Sequence, residues 1–123
     1  MDDGALMFTE WRDTGPYPNN IGPSVTFSAG GTGGPARVEV GGRPLTTFPV
    51  GEWVHVEIEC PLGQEPGRTF TLTVMPTGKE AARFTDLPLR GDEFRELQWA
   101  GFVSTAEEAV AYYLDNVKLA PVQ

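Results

Sequence analysis

The chain has 123 residues, of which 40% are hydrophobic and 21% are charged, so it is long enough to form one domain with its own core. Seventeen acidic residues against nine basic ones give a net charge of −8. This charge repels phosphate backbones and anionic lipid surfaces, which argues against a nucleic-acid or membrane partner. No apolar run approaches the roughly 18 residues that a transmembrane helix requires.

Four short runs of alternating apolar residues in the first half of the chain predict strands over residues 5–12, 24–29, 37–40 and 45–48. Prolines and turn-forming residues fill the stretch 13–20, so we expect no regular structure there. The pair Gly41-Gly42 fits the two-residue turn of a hairpin between the third and fourth strands.

The stretch 53–60 shows the strictest alternation in the chain, which is typical of a half-buried antiparallel strand. We expect it to be a central strand of the sheet. Four residues share the face toward the core: Val54, Val56, Ile58 and Cys60. The opposite face carries Trp53, His55, Glu57 and Glu59. Cys60 is the only cysteine, and its place on the apolar face favours a buried structural thiol over a nucleophile.

Alternation continues in the second half and predicts strands over residues 69–75, 82–87, 97–104 and 109–119, with room for one helical turn at 92–97. The last of these strands changes parity at Asp115-Asn116, which predicts a β-bulge there. About nine short strands with closely spaced turns predict an all-β fold, an antiparallel two-sheet β-sandwich of the jelly-roll kind.

Three motifs resemble the closing portion of a concanavalin A-like lectin/glucanase domain of the laminin-G-like type: GEWVHVEI at 51–58, TFTLTV at 69–74, and FVS at 102–104 with YLDNVKL at 113–119. The resemblance implies a jelly roll and a module of a larger exported protein, placed outside the cell or at its surface. Such domains have more strands before the tryptophan strand than this chain supplies. We therefore expect a reduced or truncated sandwich, whose unpaired sheet edge would favour a homodimer.

Glycoside hydrolysis needs two carboxyl groups about 5 to 9 Å apart, and Glu57 and Glu59 on one strand face meet that spacing at about 7 Å. The glucanases that the chain resembles carry a third carboxylate three residues further on. Leu62 occupies that position here, after Pro61 has ended the strand. We therefore predict a solvated outer face and no catalytic residues.

Carbohydrate binding needs aromatic side chains for the apolar faces of sugars and polar groups for the hydroxyls. The residues that could supply them are Trp53, His55, Trp11, Arg12 and Trp99, with Tyr17, Tyr112 and Gln98 as further candidates. Trp53 and His55 are favoured because alternation places both away from the core. The structural alternative is that Trp53 caps the rim of the sandwich and His55 hydrogen-bonds to a neighbouring strand.

Asp115 at the predicted bulge could bind a structural Ca²⁺, since related β-sandwich sugar-binding modules use an aspartate near this place. The structural alternative is that its carboxylate accepts hydrogen bonds from amides that the bulge leaves unpaired. A transition-metal site is excluded for His55 and Cys60, which lie on opposite faces of one strand. Three functions therefore stay open: a non-catalytic carbohydrate-binding or supporting module, a glycoside hydrolase or lyase relative, and a structural or protein-interaction domain.

Overall fold

The computed structural model of the protein describes residues 6–29, 34–63, 68–104, 114–115 and 117–120. This part of the chain contains no helix and forms eight strands: β1 Leu6–Arg12, β2 Ile21–Ala29, β3 Ala36–Val40, β4 Arg43–Phe48, β5 Val54–Glu59, β6 Thr69–Pro76, β7 Ala82–Pro88 and β8 Trp99–Ser104. The all-β prediction is confirmed. With no helix in these ranges, none is present there that could cross a membrane.

The strands form two antiparallel sheets, one in the order β4-β3-β2-β1-β8 and the other in the order β5-β6-β7. The chain builds four strands of the first sheet, crosses to the second for three, and returns with β8 beside β1. The two-sheet β-sandwich is therefore confirmed. Within the described residues β5 pairs only with β6, so its expected place as a central strand stays a prediction. Alternation reports which face of a strand is buried and carries no information about its neighbours.

One hydrophobic core lies between the sheets and takes side chains from both of them: Met7, Val25, Phe27, Ala36, Val38, Val40 and Phe48 from the larger sheet, and Phe70, Leu72, Val74 and Leu87 from the smaller one. Val54, Val56, Ile58 and Cys60 pack against this core, as the alternation of β5 predicts. Burial raises the pKa of the Cys60 thiol, and the positive charge of Arg68 opposes this by less. The protonated form of this thiol is therefore favoured.

The outer face of the larger sheet brings together residues of β1, β2 and β8. Glu10 of β1 lies opposite Ser24 of β2 and opposite Gly101 of β8. Between Glu10 and Arg12 the register with β2 shifts by one residue, so β2 carries a bulge at residues 22–23. Arg12 then pairs with Trp99 of β8. The pairing thus brings side chains from distant parts of the sequence onto one face.

Residues 89–98, hereafter the connecting segment, join β7 of the small sheet to β8 of the large one. Their backbone forms hydrogen bonds with the start of β2 and with the loop before it. At β2, the amide of Arg90 donates to Gly22 O at 3.1 Å and the amide of Gly91 donates to Ile21 O at 2.8 Å. The helical turn predicted at 92–97 is absent. The amides of Arg95 and Glu96 donate instead to the carboxylate of Asp13, which leaves them no role in a helix.

The strand predicted over 109–119 falls mostly outside the described residues. Tyr112, a candidate binding residue, and Asn116, part of the proposed bulge, also lie outside them. Of that stretch the structure describes residues 114–115 and 117–119, and none of these belongs to a strand. The prediction of an exposed edge that pairs two copies of the chain is not tested by a single chain and stays a prediction.

Candidate functional site

A buried carboxylate organises the outer face of the larger sheet. Glu10 is only 1% exposed, although it lies on the face away from the core. Its Oε2 accepts hydrogen bonds from Nε and Nη2 of Arg12 at 3.1 and 2.9 Å. Its Oε1 accepts from Nη1 of Arg90 at 2.6 Å and from Oγ of Ser24 at 3.1 Å. Both oxygens are therefore occupied, and a buried charge is compensated by three donor groups.

Two aromatic rings flank these arginines. The guanidinium carbon of Arg12 lies 4.5 Å from the ring centre of Trp99 and 5.5 Å from that of Tyr17. The guanidinium carbon of Arg90 lies 5.6 Å from the Tyr17 ring. These distances are those of cation–π contacts. Trp99 remains 42% exposed and Tyr17 59% exposed, so both rings also present surface to solvent. We call Glu10, Arg12, Tyr17, Arg90 and Trp99 the arginine–aromatic site.

The backbone of β8 fixes the position of the Trp99 ring. A Cβ atom at Gly101 would lie 2.6 Å from Cζ2 and 2.7 Å from Cη2 of Trp99, so the indole lies directly over this glycine. Gly101 is in turn the β8 partner of Glu10. The indole therefore covers the strand beside the buried carboxylate, and any larger residue at 101 would displace it.

The loop that carries Tyr17 is held by Asp13. The Oδ2 of Asp13 accepts hydrogen bonds from the amides of Arg95 and Glu96, each at 2.9 Å, and its Oδ1 accepts from the amide of Thr14 at 2.7 Å. The bonds from Glu96 and Arg95 lower the pKa of this carboxyl below its ordinary value of 3.8, and partial burial opposes them. Asp13 thus ties the loop to the connecting segment from which Arg90 projects.

The site is locally positive on a chain that is strongly negative. One carboxylate, Glu10, faces the two guanidinium groups of Arg12 and Arg90, which leaves one positive charge. Partial burial lowers the pKa of Arg90, but the hydrogen bond and charge of Glu10, together with Tyr17, outweigh it and raise that pKa overall. Arg90 therefore stays charged and is 43% exposed.

A surface pocket of about 340 Å³ adjoins the arginine–aromatic site. Its walls are the outer face of β2, the turn between β3 and β4, and the end of β7 with the start of the connecting segment. The lining residues are Ser24, Thr26, Val40, Gly41, Gly42, Pro88, Leu89 and Arg90. Ser24 and Arg90 both line the pocket and bind Glu10, so the pocket and the aromatic pair meet at Arg90.

The structure divides the residues predicted for carbohydrate binding into two places. Arg12 and Trp99 come together on the larger sheet. Trp11 directly precedes Arg12 on β1, so its side chain lies on the opposite face of the strand, where it is half-buried. Trp53 precedes β5 on the smaller sheet and is 60% exposed, while His55 follows on that strand.

His55 and Glu57 form an exposed hydrogen-bonded pair on the outer face of β5, with Nε2 to Oε1 at 2.9 Å. The partner of His55 is thus on its own strand and not on a neighbouring one. Trp53 contributes its carbonyl to the turn after β6, where it accepts from Oγ1 of Thr77 at 2.7 Å. No aromatic pair or arginine joins Trp53 among the described ring contacts.

Sequence reasoning missed Glu10, Ser24 and Arg90 as parts of a site. The one available signal was Glu10 itself, the single charged residue in the stretch 4–11. Arg90 gave no signal, because the connecting segment has no periodicity and its position depends on backbone bonds to β2.

The calcium site predicted at Asp115 stays a prediction. Asp115 is exposed, and Asn116 lies outside the described residues. In the part of the chain that the structure describes, no group of three histidine, cysteine, aspartate or glutamate side chains could hold a metal ion.

Both oxygens of Glu10 are engaged, and the hydrogen bonds of the arginine–aromatic site bring no second carboxylate to it. The surfaces that stay accessible to solvent are two aromatic rings, two guanidinium groups and a pocket. In comparisons with protein-family models, with curated proteins and with solved structures, this chain matches none of them.

Proposed function

We propose that the chain is a non-catalytic carbohydrate-binding module, accessory to a larger exported protein, and that it binds sugar at the arginine–aromatic site. The observation that carries this proposal is the placement of two partly exposed rings, Tyr17 and Trp99, around one guanidinium group. Aromatic surface beside fixed hydrogen-bond donors is the combination that sugar recognition requires.

The physical basis lies in the two-sided nature of a sugar ring. Its C–H groups pack on an aromatic face, while its hydroxyls need donors and acceptors at the edge of that face. Trp99 supplies the larger ring, which packs against Arg12 and Gly101. A platform that is already rigid loses little conformational entropy on binding, which raises affinity. Arg12 supplies donors beside Trp99, and both Arg12 and Arg90 supply donors beside Tyr17.

The motifs at 51–58, 69–74, 102–104 and 113–119 support the same proposal, since they resemble concanavalin A-like domains, many of which bind sugars. The two-sheet β-sandwich is compatible with such a domain. We propose that its connectivity is that of a reduced jelly roll of this kind.

A glycoside hydrolase or lyase relative is the alternative from another class. It would use Glu57 as a catalytic carboxylate, but Glu57 is exposed and paired with His55. Glu57→Gln would abolish activity under that alternative. Under our proposal the same substitution leaves sugar binding unchanged.

The proposal is tested by affinity gel electrophoresis and a glycan array with two matched variants. Trp99→Ala removes the ring of the arginine–aromatic site, and Trp53→Ala removes a more exposed tryptophan from the other sheet. We expect a glycan ligand whose binding is lost in Trp99→Ala and retained in Trp53→Ala. Loss in Trp53→Ala alone would move the site to the face of β5, and no binding to any glycan would refute carbohydrate binding.

A further inference from the structure

Resting on the proposed function, we infer that the bound glycan carries carboxylates, as uronic acids do, and that Arg90 receives one of them. The arginine–aromatic site holds one more positive charge than negative, because Glu10 neutralises only one of its two guanidinium groups. A neutral sugar would leave this charge without a partner. A carboxylate would complete the cluster with two anions for two cations.

Arg90 is the better placed of the two arginines for this role. Its side chain is 43% exposed and that of Arg12 is 29% exposed. Arg12 uses two nitrogens on Glu10, whereas Arg90 uses only Nη1. A guanidinium group has five N–H donors, and the recorded partners of Arg90 are Glu10 and Tyr17. Donors therefore remain on its solvent side, in the fork geometry that matches a planar carboxylate.

The pocket beside Arg90 offers space for the sugar that bears the carboxylate. Its volume of about 340 Å³ lies within the range of about 300–1,000 Å³ that is common for small-molecule sites. Hydroxyls of Ser24 and Thr26 line one side, and Val40 and Leu89 provide apolar surface. One sugar in this pocket and its neighbour on Tyr17 would both contact Arg90, so we expect a ligand of at least two units.

The net charge of −8 opposes an acidic ligand at long range and sets the conditions for the test. At physiological ionic strength charges are screened beyond about 8 Å, so the contacts at Arg90 decide the affinity. Binding should therefore be measured at physiological salt, since at low salt the repulsion from the rest of the chain would hide the local preference.

Isothermal titration with matched glycans separates the carboxylate from the rest of the sugar. The probes are oligomers of galacturonate, mannuronate and glucuronate, each compared with its carboxyl-reduced form, in which a hydroxymethyl group replaces the carboxylate. We expect one acidic oligomer to bind about 10- to 100-fold more tightly than its reduced form, which corresponds to a charge-assisted hydrogen bond.

Arg90→Gln should remove this preference, while keeping an N–H donor for Glu10. Arg90→Lys keeps the charge without the fork and should retain only part of the preference, which provides a second variant if the first is unstable. Arg83→Gln is the control, because it changes the net charge equally at an exposed position of β7.

Three results would overturn the inference. If the acidic and reduced forms of every bound glycan have equal affinity, carbohydrate binding stands but the carboxylate has no role. If Arg83→Gln weakens binding as much as Arg90→Gln, the effect is one of overall charge. If a sulfated neutral glucan is preferred and no uronate is, the site takes sulfate. Absence of binding to every probe, acidic and reduced alike, would refute the proposed function together with the inference.

Discussion

At the scale of single residues, Glu10 holds two guanidinium groups in place from a position that water does not reach. Its burial on an outer sheet face is explained by the side chains that gather over it, since Arg12, Arg90 and Ser24 all donate to it. Removing such an anion leaves the arginines without their partner, whereas removing a surface carboxylate disturbs little.

Glu10→Gln tests this role. The substitution keeps the shape of the side chain but removes its charge, so we expect the free energy of unfolding to fall by about 2 kcal/mol, the scale of a hydrogen bond to a charged group. The loss is moderated because Arg12 and Arg90 both reach solvent. Urea unfolding measures the change. The control, Glu57→Gln, changes an exposed carboxylate that is hydrogen-bonded to His55 and should cost about 0.5 kcal/mol or less. Equal losses would show that Glu10 is not the organising group.

Asp13 gives a prediction about pH. Hydrogen bonds from Glu96 and Arg95 lower its folded pKa below 3.8, the value expected when the chain unfolds. Its stabilising effect is therefore complete above that value and is lost as the pH falls through the lower folded pKa. We expect thermal unfolding of the native chain to lose more stability on acidification than that of Asp13→Asn, whose side chain does not titrate. Identical pH profiles for the two chains would contradict this.

At the scale of elements, the connecting segment determines where the site forms. It carries Arg90 to the larger sheet and buries Phe94 completely beside Gly22, at the bulge of β2. The glycine is required by this contact, because a Cβ atom there would lie 2.6 Å from Cδ2 of Phe94. The bulge, the glycine and the phenylalanine thus form one packing unit.

Gly22→Ala tests whether this unit is close-packed. The added methyl group would meet the fully buried ring of Phe94, so we expect a loss of about 1–3 kcal/mol in the free energy of unfolding. Gly34→Ala is the control, since nothing lies within 4 Å of a Cβ atom there and its backbone is not left-handed. That variant should be unchanged or more stable by less than about 1 kcal/mol. A tolerated Gly22→Ala would mean that Phe94 can move away from the strand.

Alternation in the sequence predicts the strands well because burial on one face imposes a period of two. The pattern of Phe70, Leu72 and Val74, for example, directly indicates β6 and its core face. The pattern contains nothing about which strands become neighbours. The pairing of Arg12 with Trp99 therefore could not be predicted, although both residues were candidates for the site. Arg90 depends on backbone hydrogen bonds of an aperiodic segment and was not identifiable at all.

At the scale of the whole molecule, the two sheets present two different candidate surfaces. The smaller sheet carries Trp53 and the hydrogen-bonded pair His55–Glu57 on its outer side. The larger sheet carries the arginine–aromatic site, which is locally positive on a chain of net charge −8. We propose that the sugar binds to the larger sheet, because rings, guanidinium groups and a pocket meet there.

The most direct test is an NMR titration that follows the indole N–H signals of the three tryptophans while a glycan ligand is added. Each signal reports one location: Trp11 on the core-facing side of β1, Trp53 just before β5, and Trp99 in the arginine–aromatic site. We predict that the Trp99 signal shifts in a saturable way and that the Trp53 signal does not move. A saturable shift of Trp53 with Trp99 unchanged would contradict the central claim.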